Sequence, residues 1–234
     1  MLMNSMWARC QMLSYLRGTG QKAHGLGFWT DRSAVHEAAA QGRALQLQQL
    51  IEGGAAVNHV AIDSITPLHE ACIQGQTQCV RLLLEAGAQV DARNIDGSTP
   101  LCDACAAGSV ECVKLLLEYR ATVNPPLFTF SPLHEACMGG NSDCVQLMID
   151  HGAFMEAHDC HYGTPLHVSC AMQHYDCAKV LLKAGTPLSL QQISRVAVRG
   201  SLGRRAREVV SKLNLPNRII RFLSYMPPPD IEIE

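Results

Sequence analysis

The apolar positions of this chain fall in short helical clusters that return at a fixed interval. Val80-Arg81-Leu82-Leu83-Leu84, Val113-Lys114-Leu115-Leu116-Leu117 and Val180-Leu181-Leu182 share one pattern. Glycines at Gly54, Gly87, Gly152 and Gly185 stop such helices, where the C′ position favours a left-handed residue. Upstream of each cluster stands a second recurring segment: Ser33-Ala34-Val35-His36-Glu37-Ala38, Thr66-Pro67-Leu68-His69-Glu70-Ala71, Thr99-Pro100-Leu101-Cys102-Asp103-Ala104, Ser131-Pro132-Leu133-His134-Glu135-Ala136 and Thr164-Pro165-Leu166-His167-Val168. From His36 the intervals are 33, 33, 32 and 33 residues. Thr or Ser suits an N-cap, and Pro at the first helical position gives up an N–H that has no helical partner there. Each unit is therefore predicted as a short helix ending near Gly42, Gly75, Gly108 or Gly140, then a Leu-rich helix. An extended stretch such as Gln89–Asn94 follows and turns into the next unit.

A fixed period of this length with a TPLH-type motif is the signature of stacked repeats. The pattern resembles the ankyrin repeat over residues 30–185, five units in all. The resemblance implies a curved solenoid whose hairpin tips and inner helices form a concave binding face. Repeat three departs from the pattern with Cys102 in place of His. Arg120 replaces a stop glycine, and repeat four is one residue shorter, with Pro125-Pro126 in its hairpin.

Charge divides the chain. Residues 30–185 carry 8 Lys+Arg against 17 Asp+Glu, while residues 186–225 carry 8 against Glu208 alone. That change of sign marks a domain boundary. The net charge of -2 argues against a general nucleic-acid binder. Residues 1–29 are expected to be a disordered leader, with Arg9, Arg17 and Lys22 and no acid. Residues 226–234, with three prolines in a row, are expected to be a disordered tail. No apolar run reaches membrane-spanning length, so no membrane partner is expected.

The tempting chemistry dissolves into the period. Cys72, Cys105, Cys137 and Cys170 share one repeat position, and Cys79, Cys112, Cys144 and Cys177 share another, as small buried hydrophobes would. Cys102-x-x-Cys105 has no second pair to complete a zinc site, and His158, Cys160 and His161 share one hairpin. The recurring histidines are expected to link helix and hairpin within each unit. No nucleophile elbow, phosphate loop, dinucleotide fingerprint or H-E-x-x-H is present. No catalytic residue, metal or cofactor is assigned.

After Gly185 the repeats stop. Leu190, Ile193, Val196 (or Ala197) and Val198 give a helix with an apolar stripe. Gly200 and Gly203 break it, and two further helices flank Leu213-Asn214-Leu215-Pro216. About 40 residues form a core too small to be secure alone, so this unit is expected to need a partner. The segment looks like a SOCS box over residues 186–225, and with the repeats the chain is similar to the ankyrin-repeat and SOCS-box family. The fold class expected is all-α: an ankyrin solenoid of five helix-turn-helix repeats with β-hairpin tips, followed by a three-helix SOCS box.

The resemblance implies Elongin B/C binding through Leu190, Ile193, Ser194 and Val198, and Cullin-5 binding through Leu213, Leu215 and Pro216. Ser194 stands where the family has Cys. Gly185 also leads directly into the box, where relatives carry a further repeat. By the same resemblance the protein substrate would meet Ile73, Gln74, Asp96, Phe128, Phe130, Met138 and His161, with Ile62, Ile95 and Met172 nearby. Phe128, Phe130 and Met138 stand out because aromatic residues are scarce, although packing against Pro125 and Pro126 explains the two phenylalanines equally well. The acids Glu37, Glu70, Asp103 and Glu135 fall once per repeat, either facing a basic partner or bonding within their own repeat. The implied function is substrate recognition for a cullin-RING ubiquitin ligase in the cytoplasm or nucleus. The alternative is an interaction module with a non-functional box that competes with longer relatives.

Overall fold

The computed structural model describes residues 32–126, 131–158 and 163–185. Ten α-helices lie within them, two per repeat. They are α1 (Ala34–Ala40) and α2 (Ala44–Glu52), α3 (Pro67–Ile73) and α4 (Thr77–Glu85), α5 (Pro100–Ala107) and α6 (Val110–Glu118). Then come α7 (Pro132–Gly139) and α8 (Ser142–Asp150), α9 (Pro165–Ala171) and α10 (Tyr175–Lys183). The odd-numbered helices stack on one another as an inner row, the even-numbered as an outer row, and each pair packs together within its repeat.

The inner helices begin where the sequence places them. Thr66, Thr99 and Ser131 accept the N–H three residues on, and Pro67, Pro100 and Pro132 follow. Helices of seven to nine residues are too short to persist alone, so their stability comes from the faces they bury. Leu68, Leu101, Leu133 and Leu166 of the inner row meet Leu47, Leu83, Leu116, Met148 and Leu181 of the outer row, all fully buried. Each such side chain contributes roughly 1.5–3 kcal/mol over exposure. Ala38, Ala71, Ala104 and Ala136 are buried at the matching place of successive inner helices. At the same level Ser169 is buried in repeat five and spends its hydroxyl on the Pro165 carbonyl at 3.0 Å.

The connecting fingers are turns closed by single backbone bonds, with no strand ladder among the described residues. Asn94 N–H donates to the Ser98 carbonyl at 3.0 Å, and Gly97 at φ 79 makes the turn. The Asn94 carboxamide oxygen accepts the Asp96 and Ser98 N–H groups. In the preceding finger Asp63 and Ser64 take the left-handed region without glycine, and Ile95 N–H donates to the Asp63 carbonyl at 2.8 Å, tying the two fingers together. Arg120, at φ 61, adopts the conformation of the stop glycine it replaces.

Candidate substrate-capture face and the SOCS-box segment

The repeated histidines fix the fingers relative to the inner helices. The Thr66 N–H donates to His69 Nδ1 at 3.2 Å, so Nδ1 is the acceptor nitrogen and Nε2 carries the proton. That Nε2–H donates to the Ser98 carbonyl of the next finger at 3.3 Å. His36 reaches the Ile65 carbonyl at 3.1 Å, and His134 reaches the Gly163 carbonyl at 3.0 Å. Each spans 29 residues. The expectation of a bond confined to one unit is thereby corrected: the imidazole caps its own helix and clasps the following repeat's finger. Cys102 is buried and takes only the Thr99 hydroxyl, at 3.5 Å, so repeat three lacks the imidazole that makes this clasp.

The inner face follows from this scaffold. Ile73 is half-buried and Gln74 exposed at the end of α3, with Met138 and Met172 half-buried at the matching places of α7 and α9. Met138 packs partly onto the core, so it offers less free surface than its isolation in the sequence suggested. Asp96 sits half-buried on the finger before α5, beside Ile95, which is 70% exposed. With Val60 and Ile62, also exposed, Ile95 places aliphatic side chains at adjacent fingertips, the kind of surface that interaction sites use. Phe128, Phe130 and His161 lie outside the described residues, as do Leu190, Ile193, Ser194, Val198, Leu213, Leu215 and Pro216. The leader, the tail and the helices assigned to the SOCS box lie there too.

The acids of the inner helices differ from one another. Glu37 is exposed. Glu70 is buried and pairs with Arg32. Asp103 accepts the Ser98 hydroxyl at 3.4 Å, and Glu135 is half-buried. Each acid lies three and four residues before the face positions represented by Ile73 and Gln74, which puts them on one side of the helix.

Two features had gone unread. One is Arg32, which pairs with Glu70 of the next repeat. The other is a ladder of amide and carboxylate side chains. Asn58 Oδ1 accepts the Gln89 N–H at 2.8 Å, Asp91 Oδ1 the Thr122 N–H at 2.9 Å, and Asn124 Oδ1 the Phe154 N–H at 2.9 Å. The recurrence of Asn or Asp at 58, 91 and 124, once per repeat, was the available signal.

The nine described cysteines are all buried and unpaired with one another. Burial pushes the thiols of Cys102, Cys144 and Cys170 up to about 12 and that of Cys177 to about 11, with Cys72, Cys105 and Cys137 also raised. They are therefore protonated apolar filler at neutral pH rather than nucleophiles. Among the described residues no group of three metal-ligating side chains converges, and no helix is long and apolar enough to cross a membrane.

Comparison with known proteins places the whole arrangement. The ankyrin-repeat family (three copies) matches residues 35–126 and 122–192, and the SOCS box matches residues 186–224. Ankyrin repeat and SOCS box protein 13 of mouse and of human are each 52% identical over 264 residues, covering 86% of this chain and 95% of theirs. That aligned span exceeds the 234 residues of this chain. Because 86% of this chain is aligned, about 201 residues, about 63 of the relatives' positions have no counterpart in the alignment, close to the length of two repeats. The crystal structure of the human ASB11 ankyrin repeat domain superposes with a TM-score of 0.70 at 36% identity, covering 82% of this chain and 83% of that one. The stacked repeats, the box that follows them and this identity over nearly the full length of its relatives together show that the chain belongs to the ankyrin-repeat and SOCS-box protein family, adaptors that recognise substrates for cullin-RING ubiquitin ligases.

Proposed function

We propose that this chain is the non-catalytic substrate-recognition subunit of an Elongin B/C–Cullin-5 RING ligase, promoting ubiquitination of a protein held on its inner face. The observation that carries the reading is the SOCS-box match over residues 186–224 directly following the repeats. Leu190, Ile193, Ser194 and Val198 contact Elongin, while Leu213, Leu215 and Pro216 select the cullin. The target meets Ile73, Gln74, Asp96, Phe128, Phe130, Met138 and His161. Catalysis is then positional: the RING subunit and a charged conjugating enzyme supply the chemistry, and this chain raises the local concentration of a substrate lysine. The adaptor works in the cytoplasm or nucleus, where these partners would meet it.

Ser194 in place of the family's Cys supports one rival. A buried hydroxyl without a partner costs roughly 1–3 kcal/mol, enough to leave the box idle and the chain a competitor of its longer relatives. Co-purification with Elongin B and C, comparing wild type, Leu190→Ala and Ser194→Cys, separates the two. A stoichiometric wild-type complex abolished by Leu190→Ala is expected. Binding by Ser194→Cys alone would show a degenerate box and a pure binding module.

A further inference from the structure

Three large aliphatic side chains stand in solvent on the first two fingers. Val60 is 53% exposed, Ile62 43% and Ile95 70%. The Ile95 N–H donates to the Asp63 carbonyl at 2.8 Å, which holds the two fingertips side by side. Both fingers also share one register. The Ala61 N–H closes on the Ile65 carbonyl as the Asn94 N–H closes on that of Ser98, so Ile62 and Ile95 occupy the same point of successive turns. Large apolar side chains left exposed together mark a contact surface.

The first fingertip keeps side chains where the backbone favours none. Asp63 and Ser64 are exposed at φ 63 and 58, whereas the next finger makes the same turn with Gly97 at φ 79. Backbone strain of this kind is retained where the side chain is used. The Asp63 carboxylate has no hydrogen-bond or ionic partner among the described residues. Asp96 follows Ile95 just as Asp63 follows Ile62, so each exposed isoleucine stands beside an acid. The other charges of the two fingers are engaged elsewhere. Asp91 holds Thr122, and Arg93 donates to the Pro126 carbonyl at 3.1 Å. Arg32 is taken by Glu70, and the His59 ring stands edge-on to His36 with centroids 5.7 Å apart. The Ile62 N–H has no acceptor among the described residues, although the Ile95 N–H in the same register has one. An extended backbone laid along a finger supplies such an acceptor, as in strand addition to an open edge.

We propose, resting on the reading that the solenoid captures the ligase's target, that the captured segment is an extended peptide with branched aliphatic side chains beside Lys or Arg. Its aliphatic side chains cover Val60, Ile62 and Ile95, its cation meets Asp63, and one of its carbonyls accepts the Ile62 N–H. An acidic or phosphorylated segment brings like charge to Asp63 and Asp96 and is rejected.

The probe is a phage-displayed library of random dodecapeptides selected on the immobilised full chain. Enriched sequences are expected to set Val, Ile or Leu next to Lys or Arg. A synthetic peptide of the consensus should then bind the full chain in fluorescence anisotropy. Ile62→Ser with Ile95→Ser should weaken that binding about ten-fold or more, and Asp63→Asn several-fold. In about 1 M NaCl, where screening acts within a few ångströms, Asp63→Asn should lose its effect. All three side chains are exposed, so unchanged thermal midpoints are expected, and Asp63→Asn alters little besides charge. Enrichment of acidic sequences, or of none, would overturn the proposal. So would a consensus peptide that ignores the fingertip variants and is lost with Gln74→Ala, in which case the solenoid still captures its target but on the inner helices. Co-purification with Elongin B and C judges the adaptor reading separately, because no fingertip variant touches the box.

Discussion

At the scale of single residues, His36, His69 and His134 each do two jobs that the sequence suggested as one. Nδ1 accepts at the helix cap and Nε2–H donates across the repeat boundary. His69→Ala removes both bonds and leaves the half-buried Ser98 carbonyl to the Asn94 N–H. It should cost about 2–3 kcal/mol, read as a lower urea midpoint at unchanged slope. Cys102→Ala removes no such clasp and should cost about 1 kcal/mol. The histidines also set an acid limit. Burial holds His36 and His167 below the ordinary histidine value of 6.5. The unfolded chain therefore takes up protons first as pH falls. Their contribution is complete above pH 6.5 and is lost as pH falls below it, which urea midpoints between pH 7.5 and 5.5 will show.

At the scale of elements, the inner helices α5 and α7 approach so closely that one glycine is obligatory without any unusual backbone angle. A Cβ on Gly139 would lie 2.7 Å from the Ala106 carbonyl and 3.2 Å from that of Cys105. Gly139→Ala should therefore part repeats three and four at a cost of about 1–3 kcal/mol. Gly152 has open space around its absent Cβ and pays only for φ 81, so Gly152→Ala should cost about 1 kcal/mol. Comparing their thermal midpoints distinguishes a steric from a conformational requirement. On the finger side, Asp91 holds both the Thr122 N–H and its hydroxyl, the latter at 2.6 Å.

At the scale of the whole molecule, stability is a sum of repeats and the interfaces between them, and the cysteines run through all of it. Cys72, Cys105, Cys137 and Cys170 form one buried column and Cys79, Cys112, Cys144 and Cys177 another. Where burial raises a thiol above its ordinary value of 9.0, the unfolded chain loses the proton first. Stability present below pH 9 should then decline as pH rises through it, measurable as a falling urea midpoint from pH 8 to 10. The same nine thiols should react slowly with an alkylating reagent in the native state and rapidly in denaturant, at rates that report opening of the stack.

The sequence by itself determined the period, the helix caps, the stop glycines and the family, because these depend on residues that act within one turn of chain. Thr66 and Pro67 start a helix wherever it is placed, and Leu83 or Cys112 must be buried once the unit repeats. Only the tertiary structure decided what crosses between repeats: the clasp of His69 on Ser98, the ladder through Asn58, Asp91 and Asn124, the tight seat of Gly139 and the reach of Arg32 to Glu70. These partners lie about one repeat apart in sequence and meet only when neighbours stack. Their bonds are therefore properties of the interface between units rather than of any unit read alone.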